Sequence, residues 1–522
     1  MNIHWIEELS SAKQHHNSPA QTVVQGLLHF SLDCVSLRRL YFFIAVALSL
    51  WLPLICLATT VKPPVRFALA VLPSNLDPRS ANDAASERLN RLLYRSLVDI
   101  DATGQSVPDL ATWQILNHFK AYRFTLRHDR PCFHHGGALQ AEDVKATYDS
   151  LRQLKTSPLA AEFSGIAHIE VENARTITFY LQAPDTHFVE KLVIGICPRN
   201  LLTQQHDFSR HPIGNGPLRL LSWDRVIHLQ RMTDGQSFIL QEVKDPTVRV
   251  LKLLNGETDL LQGDLPRELV QYLKTQNSLV VLESVGSNLS YLGLNMHDIQ
   301  LRDLRVRRAL AHAIDREAIV QYLMVGRTRL ADAILAPEHY TRWGQRLKGY
   351  DYNPILARQL LREAGVHLPL RLDYKTSTDA QRLRLATLLQ AQMRKAGIDM
   401  VIHSLDWGTF FDDVQQGNFQ LFGLTWVGIK TPQIYRTAFA STAIPPRGAN
   451  RGGFSDVVLD ALLAKENWQA VTARIQDQLP AIPLWYEGQF VVTRRGLKGY
   501  FAHADGHWDD LATVRWGAGQ TR

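Results

Sequence analysis

Cysteine and methionine are scarce in this chain, with four cysteines and six methionines among 522 residues. Two of the cysteines precede the region that we expect to be exported, which leaves Cys132 and Cys197. An oxidising compartment permits a disulfide between them, but sequence spacing does not decide whether it forms. Two buried thiols are the alternative.

The sequence also lacks the local motifs of common enzymes. It contains no GxSxG, HExxH or CxxC motif and no phosphate-binding P-loop. Cys132-Phe133-His134-His135 brings possible metal ligands together, but a close histidine pair without further ligands at a defined spacing is typical of a turn. We therefore predict a protein that is not an enzyme and has no cofactor and no metal site.

Charge is modest and of mixed sign. The 57 basic and 50 acidic residues give a net charge of +7, spread along the chain without a lysine-rich tail. A mild and dispersed positive charge does not imply a polyanionic partner. We therefore expect no nucleic-acid ligand.

One long apolar run lies near the start of the chain. Leu40–Leu57 contains 18 residues without a charge, and Arg38 and Arg39 precede it. This order is typical of a signal peptide, for which Ala58 offers a cleavage position, but the run is nearly long enough for an uncleaved membrane anchor. With either outcome the remainder is exported, and we predict a periplasmic location.

The stretch Ser290–Arg327 predicts a strand followed by two helices. Residues 291–296 alternate as a half-buried strand does. Asp303 and Asp315 are suited to cap the two helices, because a carboxylate satisfies free N–H groups at a helix start. Gly326 is expected to be the C-cap of the second helix.

Residues 301–320, LRDLRVRRALAHAIDREAIV, resemble a segment of the family 5 extracellular solute-binding proteins. This family includes the dipeptide- and oligopeptide-binding proteins of ABC importers. Further matches occur in 107–150, in the glycine turn PIGNGP at 212–217 and in the GE-D pattern that begins at Gly256. The resemblance covers roughly residues 63–516.

The resemblance implies an α/β, bilobal periplasmic-binding-protein fold of the large, three-subdomain type, preceded by a signal or anchor helix. Two mixed α/β lobes would flank a cleft. We call residues 62–285 and 488–522 lobe I, and residues 286–487 lobe II. The expected segments are a leader and signal peptide or anchor (1–58), the opening segment of lobe I (62–92), the lobe I subdomain (93–202), the middle segment of lobe I (203–285), lobe II (286–487) and a closing segment of lobe I (488–522). Alternating helices and strands predict a largely parallel sheet in lobe II.

The segment Phe419–Phe439 is the strongest candidate for ligand contact. It is a strand that ends at Trp426-Val427-Gly428 and continues as a loop. In peptide-binding relatives, the resemblance implies an acidic residue on this loop that holds the ligand's α-ammonium. Ile429 occupies that position here. Because a desolvated ammonium without its carboxylate costs about 3–5 kcal/mol, this difference weakens a simple dipeptide hypothesis.

The remaining candidates are less specific. Lys430 and Arg436 flank Ile429 and either meet an anionic ligand group or lie on the surface. Trp426 either stacks on a ligand or packs in the core. Asn75, in the rim loop that the resemblance implies, and Asn295, at the end of the central strand, complete the predicted ligand-binding set.

The function implied by the resemblance is that of a periplasmic solute-binding protein. It would bind a peptide-like ligand by hinge closure, act as a monomer and deliver the ligand to ABC permease subunits in the inner membrane. Two alternatives stay open. One is a non-peptide ligand such as an oligosaccharide, an opine or a metal chelate, and the other is an anchored periplasmic sensor or chaperone that feeds no importer.

Overall fold

The computed structural model describes residues 62–101, 104–154, 157 and 159–517. The predicted signal or anchor segment at 40–57 lies outside these residues. Within the described ranges, no helix has the length and apolar character needed to cross a membrane.

In the described part of the chain, the strands form one large sheet and three small ones. They are β1 (Val65–Leu69), β2 (Val98–Ile100), β3 (Ser106–Pro108), β4 (Ala111–Leu116), β5 (Ala121–Leu126), β6 (Ile166–Asn173), β7 (Thr176–Leu181), β8 (Leu218–Trp223), β9 (Val226–Arg231), β10 (Ser237–Glu242), β11 (Leu260–Gln262), β12 (Leu279–Leu294), β13 (Arg329–Leu330), β14 (Leu370–Ser377), β15 (Ile398–Leu405), β16 (Leu421–Trp426), β17 (Ala481–Arg494), β18 (Leu497–Lys498) and β19 (Arg515–Trp516).

Helices cover the faces of these sheets. They are α1 (Ala84–Leu93), α2 (Ala141–Gln153), α3 (Arg199–Thr203), α4 (Pro246–Leu254), α5 (Arg267–Lys274), α6 (Leu304–His312), α7 (Arg316–Tyr322), α8 (Pro337–Tyr340), α9 (Pro354–Glu363), α10 (Ala380–Lys395), α11 (Trp407–Gln416), α12 (Ile434–Phe439), α13 (Val457–Ala464) and α14 (Trp468–Gln478).

The large sheet runs through both lobes in the order β15-β14-β16-β12-β17-β11-β1-β10-β9-β8, with β13 paired to β17. In lobe II, β14 is parallel to β15 and β16, whereas β12 is antiparallel to β16 and β17. The expectation of a largely parallel sheet in lobe II was therefore wrong for β12 and β17, the two strands that continue into lobe I. β12 carries the chain into lobe II and β17 carries it out, so the two strands run in opposite directions.

These two strands are long because each belongs to both lobes. Their pairing extends from Leu279–Arg494 to Gly293–Ala481, with a register shift between Ser284 and Asn288. Gly286 lies at this irregularity, where a Cβ would be 1.5 Å from the carbonyl oxygen of Glu487. A bulge at a point of such close backbone approach is a natural bending position. We call residues 284–288 and 487–489 the hinge strands.

Two helices of lobe II begin at the capping residues that the sequence predicted. The Asp303 side chain accepts a hydrogen bond from the Arg305 N–H at the start of α6, and Asp315 accepts one from Ala318 at the start of α7. The expectation for Gly326 was wrong, because α7 ends earlier with Leu323 as its C-cap. Gly326 has a φ of +67° and lies against the backbone of Gly488, so its missing Cβ permits a turn to contact β17.

The glycine turn at 212–217 packs against the end of α1 in lobe I. Cβ atoms at Gly214 and Gly216 would lie 2.1 and 2.2 Å from the carbonyl oxygens of Leu93 and Leu92 at the end of α1. The ring of His134 also contacts this turn, because its Nε2 is 3.1 Å from the Gly216 carbonyl oxygen. His134 therefore braces the glycine turn, and His134 and His135 themselves lie in a turn, as the sequence indicated.

Buried side chains form separate cores on the two sides of the hinge. Two clusters consist of residues between Leu289 and Tyr486, all in lobe II. The buried members of the other three clusters come from lobe I, and one of them fills the subdomain around the sheet β4-β5-β7-β6. Because the buried residues are divided in this way, the lobes can move relative to each other without opening a core.

The two cysteines of the described chain are both free thiols, Cys132 exposed and Cys197 fully buried. Burial raises the pKa of the Cys197 thiol well above its ordinary value. Because the thiolate is the reactive form, we expect a maleimide to modify Cys132 but not Cys197 in the native protein. Peptide mapping by mass spectrometry checks this. Equal labelling of both cysteines, or a disulfide-linked peptide, would contradict the structure.

Candidate functional site

A large cavity lies between the lobes. Its volume is about 1840 Å³, and its walls come from α1 and the subdomain in lobe I and from the ends of β16, α10, α11 and α12 in lobe II. Typical small-molecule pockets occupy roughly 300–1,000 Å³. We call this cavity the cleft. It has room for an extended ligand together with water.

The end of β16 and the loop after it lie at the cleft. Trp426, Gly428, Ile429 and Lys430 all line it. The Trp426 ring stacks on Tyr291 of β12, with 6.3 Å between centroids and 19° between planes. The Gly428 N–H donates to Asn288 Oδ1 at 3.3 Å. The loop is therefore attached to the strand that forms the hinge.

Ile429 lines the cleft but is mostly buried. It is 9% exposed and packs in the same lobe II core as Tyr435 and Phe439. An apolar residue therefore occupies the position at which the resemblance implies a carboxylate.

Lys430 connects the two lobes. Its Nζ donates to the carbonyl oxygen of Ile100 at 3.1 Å and is 4.0 Å from Asp505 Oδ2, both in lobe I. The Lys430 side chain therefore forms a direct contact between lobe II and lobe I, in addition to lining the cleft.

A second contact between the lobes involves Arg436 and His187. The imidazole of His187 forms ion pairs with Glu190 of lobe I at 2.8 Å and with Glu466 of lobe II at 2.6 Å. Arg436 is 3.8 Å from the same Glu466 carboxylate and donates to the Leu463 carbonyl oxygen. We call His187, Glu190, Glu466 and Arg436 the charged latch.

The charged latch is expected to depend on pH. The hydrogen bond to Glu190, with a further contribution from Glu466, raises the pKa of His187 to about 9, although burial opposes this. Because the folded pKa is raised above the ordinary 6.5, the stabilisation is fully present below pH 6.5 and is lost as pH rises through 9. The thermal midpoint of the wild type should therefore exceed that of His187→Gln at pH 6, and the difference should shrink by pH 10. A difference that is constant between these pH values would contradict this assignment.

Asn75 and Asn295 do not line the cleft. Asn75 Oδ1 accepts from the Asp77 N–H at 2.9 Å and its Nδ2 donates to Ser80 Oγ at 3.1 Å. The amide of Asn295 donates to the carbonyl oxygens of Gly417 and Phe419. Both side chains use their polar atoms to brace loops, so the structure does not bring them together with Trp426.

Among the cleft residues that the sequence did not predict are Glu87 of α1, His187 and Arg451. Glu87 Oε1 lies 3.3 Å from the position that a Cβ on Gly428 would occupy, so this lobe I carboxylate meets the lobe II loop. The Glu87 side chain is exposed to solvent in the cleft. The protein walls around it still remove part of the water near its carboxylate, and this desolvation raises its pKa. No local pattern could indicate these residues, because their contacts are with segments that are distant in the sequence.

The fold and the cleft define a two-lobed solute-binding protein. The family model described as "Bacterial extracellular solute-binding proteins, family 5 Middle" matches residues 105–444, and the chain belongs to this family. The expected family and the α/β binding-protein fold are thereby confirmed. Members of the family are solute-binding proteins and not enzymes.

Individual relatives agree with this assignment. The chain is 24% identical to the "Dipeptide-binding protein" of Escherichia coli (strain K12), over 78% of this chain and 86% of that protein. It superposes with a TM-score of 0.77 and 23% identity on the periplasmic binding protein DppA from Helicobacter pylori in complex with peptide STSA, covering 87% of this chain and 98% of DppA. NikZ from Campylobacter jejuni, in complex with Ni(L-His), gives a TM-score of 0.74 and 22% identity, covering 86% and 99%.

Proposed function

We propose that this protein is the periplasmic solute-binding component of an ABC importer and binds a peptide-like ligand. The observation that carries the proposal is the cleft, to which both lobes contribute walls, together with the two continuous strands that connect these lobes and have a bulge at Gly286. Relatives of the same family that bear peptide-binding names, and the solved DppA complex with a peptide, favour a peptide over other solutes. The protein would act as a monomer and pass its ligand to permease subunits in the inner membrane.

Hinge closure would couple binding to delivery. A ligand that contacts both lobes stabilises the closed form only by its differential affinity for that form. The contacts of Lys430 with Ile100 and of His187 with Glu466 join the lobes directly. They would form on closing and add to the bridging contacts of the ligand, so that the closed, loaded form is the one offered to the permeases.

Within the cleft, Trp426 and Gly428 would contact the ligand through a ring face and backbone groups. Backbone hydrogen bonds fix the direction of a peptide, and apolar walls accept varied side chains. Ile429 would provide apolar surface. The ammonium partner must then lie elsewhere, and Glu87 is a carboxylate that borders the same loop. We assign it this role.

Native mass spectrometry of protein purified from its host periplasm tests the proposal directly. The expected result is a bound mass that fragments as a di- to oligopeptide. A bound opine, sugar or metal chelate would contradict the peptide ligand while leaving the binding function intact. Failure to bind a defined mixture of di- and tripeptides at millimolar concentration would contradict it as well.

A non-peptide solute is the second candidate, and Ile429 is the observation that favours it. Without a carboxylate at this position, the loop after Trp426 carries no acidic side chain for a free amine. NikZ has a similar fold and was solved with Ni(L-His), so the fold itself does not require a peptide.

A further inference from the structure

The two walls of the cleft differ in charge. Among the described cleft residues, lobe II provides the cations Arg382, Lys430, Arg436, Arg447, Arg451 and Lys465 and one acidic residue, Glu466. Lobe I provides more carboxylates than cations, and these carboxylates include Asp83, Glu87, Asp99 and Glu190. A ligand that carries both signs of charge therefore has a favoured orientation, with its anionic group toward lobe II.

Three of these six lobe II cations have acidic neighbours. Arg382 is 3.6 Å from Glu487, Arg436 is 3.8 Å from Glu466, and Lys430 is 4.0 Å from Asp505. Their charges are partly compensated within the protein, which lowers their attraction for an anionic ligand.

Arg451 differs from these three. Its Nε donates to Gln415 Oε1 at 3.2 Å and its Nη1 to the Tyr291 hydroxyl at 3.4 Å, and both partners are neutral. Within the described part of the chain, no carboxylate lies within 4.0 Å of its guanidinium. The charge of Arg451 is therefore uncompensated while the side chain is fixed in place.

Aromatic rings complete the support of Arg451. Its guanidinium carbon lies 4.8 Å from the centroid of Trp426 and 5.5 Å from that of Phe411. Cation–π contacts hold the guanidinium without neutralising it, and the hydrogen bonds reported above do not involve Nη2. A pre-organised planar guanidinium suits a carboxylate, because little side-chain freedom is lost when the ion pair forms.

We propose that Arg451 is the anion-recognition residue of the cleft and binds a carboxylate of a peptide-like ligand. The inference rests on the proposed function. The carboxylate belongs either to the peptide's C-terminus or to an acidic side chain, since both present the same planar pair of oxygens.

Isothermal titration with two matched pairs of peptides tests the inference. Ala-Ala-Ala against its C-terminal amide isolates the terminal carboxylate, and Ala-Glu-Ala against Ala-Gln-Ala isolates a side-chain carboxylate. We expect the wild type to prefer the charged member of one pair by about 10- to 100-fold. Arg451→Gln should abolish that preference and leave the affinity for the neutral member within about twofold.

Arg394→Gln is the matched control, because Arg394 is an exposed lobe II arginine at the end of α10 that does not line the cleft. It should keep the wild-type preference. If Arg451→Gln binds neither member of the responding pair, Arg451→Lys decides, since it retains the charge without the planar fork. At least a threefold loss of preference supports the inference.

The inference is overturned if the wild type binds both pairs without preference, or if the preference survives in Arg451→Gln. In both cases binding itself persists, so the proposed function stands. If the wild type binds none of the four peptides, the proposed function fails, and the inference fails with it.

Discussion

Gly286→Ala is expected to lower the free energy of unfolding by at least about 3 kcal/mol, or to prevent folding. A Cβ at this position would lie 1.5 Å from the Glu487 carbonyl oxygen. Since the added Cβ is fixed to the backbone of β12 and the carbonyl oxygen belongs to the backbone of β17, the overlap can be relieved only by disturbing the pairing of these strands. Urea unfolding followed by circular dichroism measures the loss.

Gly165→Ala is the control for this experiment. A Cβ at Gly165 would meet no atom within 4 Å, and its φ is not positive. Its stability should stay within about 0.5 kcal/mol of the wild type. Equal stability of the Gly286 variant and the wild type would contradict the close crossing of the two strands.

Glu87→Gln is expected to weaken the binding of free-amine peptides by about 10- to 100-fold and to leave N-acetylated peptides unaffected. The amide keeps the shape of the side chain but removes the charge that we assign to the ligand's ammonium. An ammonium in a partly desolvated cleft then lacks its counter-charge. Isothermal titration at neutral pH with one tripeptide in its free and N-acetylated forms separates the two effects.

Glu317→Gln provides a matched control. Glu317 also lies in the first turn of a helix, α7, but is exposed and outside the cleft. It should bind both forms of the peptide as the wild type does. An equal loss for free and acetylated peptides in the Glu87 variant would indicate a structural role and contradict the assignment.

Local signals in the sequence predicted local structure well. The capping carboxylates Asp303 and Asp315 act within three residues of their partners, so spacing alone was sufficient to assign them. The direction of the strands in lobe II was predicted less well. Pairing of β12 with β17 joins segments about 200 residues apart, and hydrophobic alternation contains no information about the direction of a partner strand.

In the candidate site, too, features set by local sequence were predicted and features set by distant contacts were not. Trp426 and the loop after it reach the cleft because they follow the end of a strand, where ligands of α/β sheets bind. Glu87, His187 and Arg451 were missed because their partners lie on distant segments. Asn75 and Asn295 were included because of where they fall in the chain. Short side-chain amides in turns often hydrogen-bond to nearby backbone, and here the Asp77 N–H donates to Asn75 Oδ1 and the His297 N–H to Asn295 Oδ1.

The most direct test of the account is small-angle X-ray scattering of the protein with and without a saturating peptide that binds in the titrations above. Hinge closure predicts that the ligand-free protein has the larger radius of gyration. The loaded protein should match the scattering curve calculated from this structure, in which Lys430 contacts Ile100 and His187 contacts Glu466 across the cleft. Identical scattering curves before and after saturation would show that the lobes do not close on the ligand and would contradict the hinge mechanism.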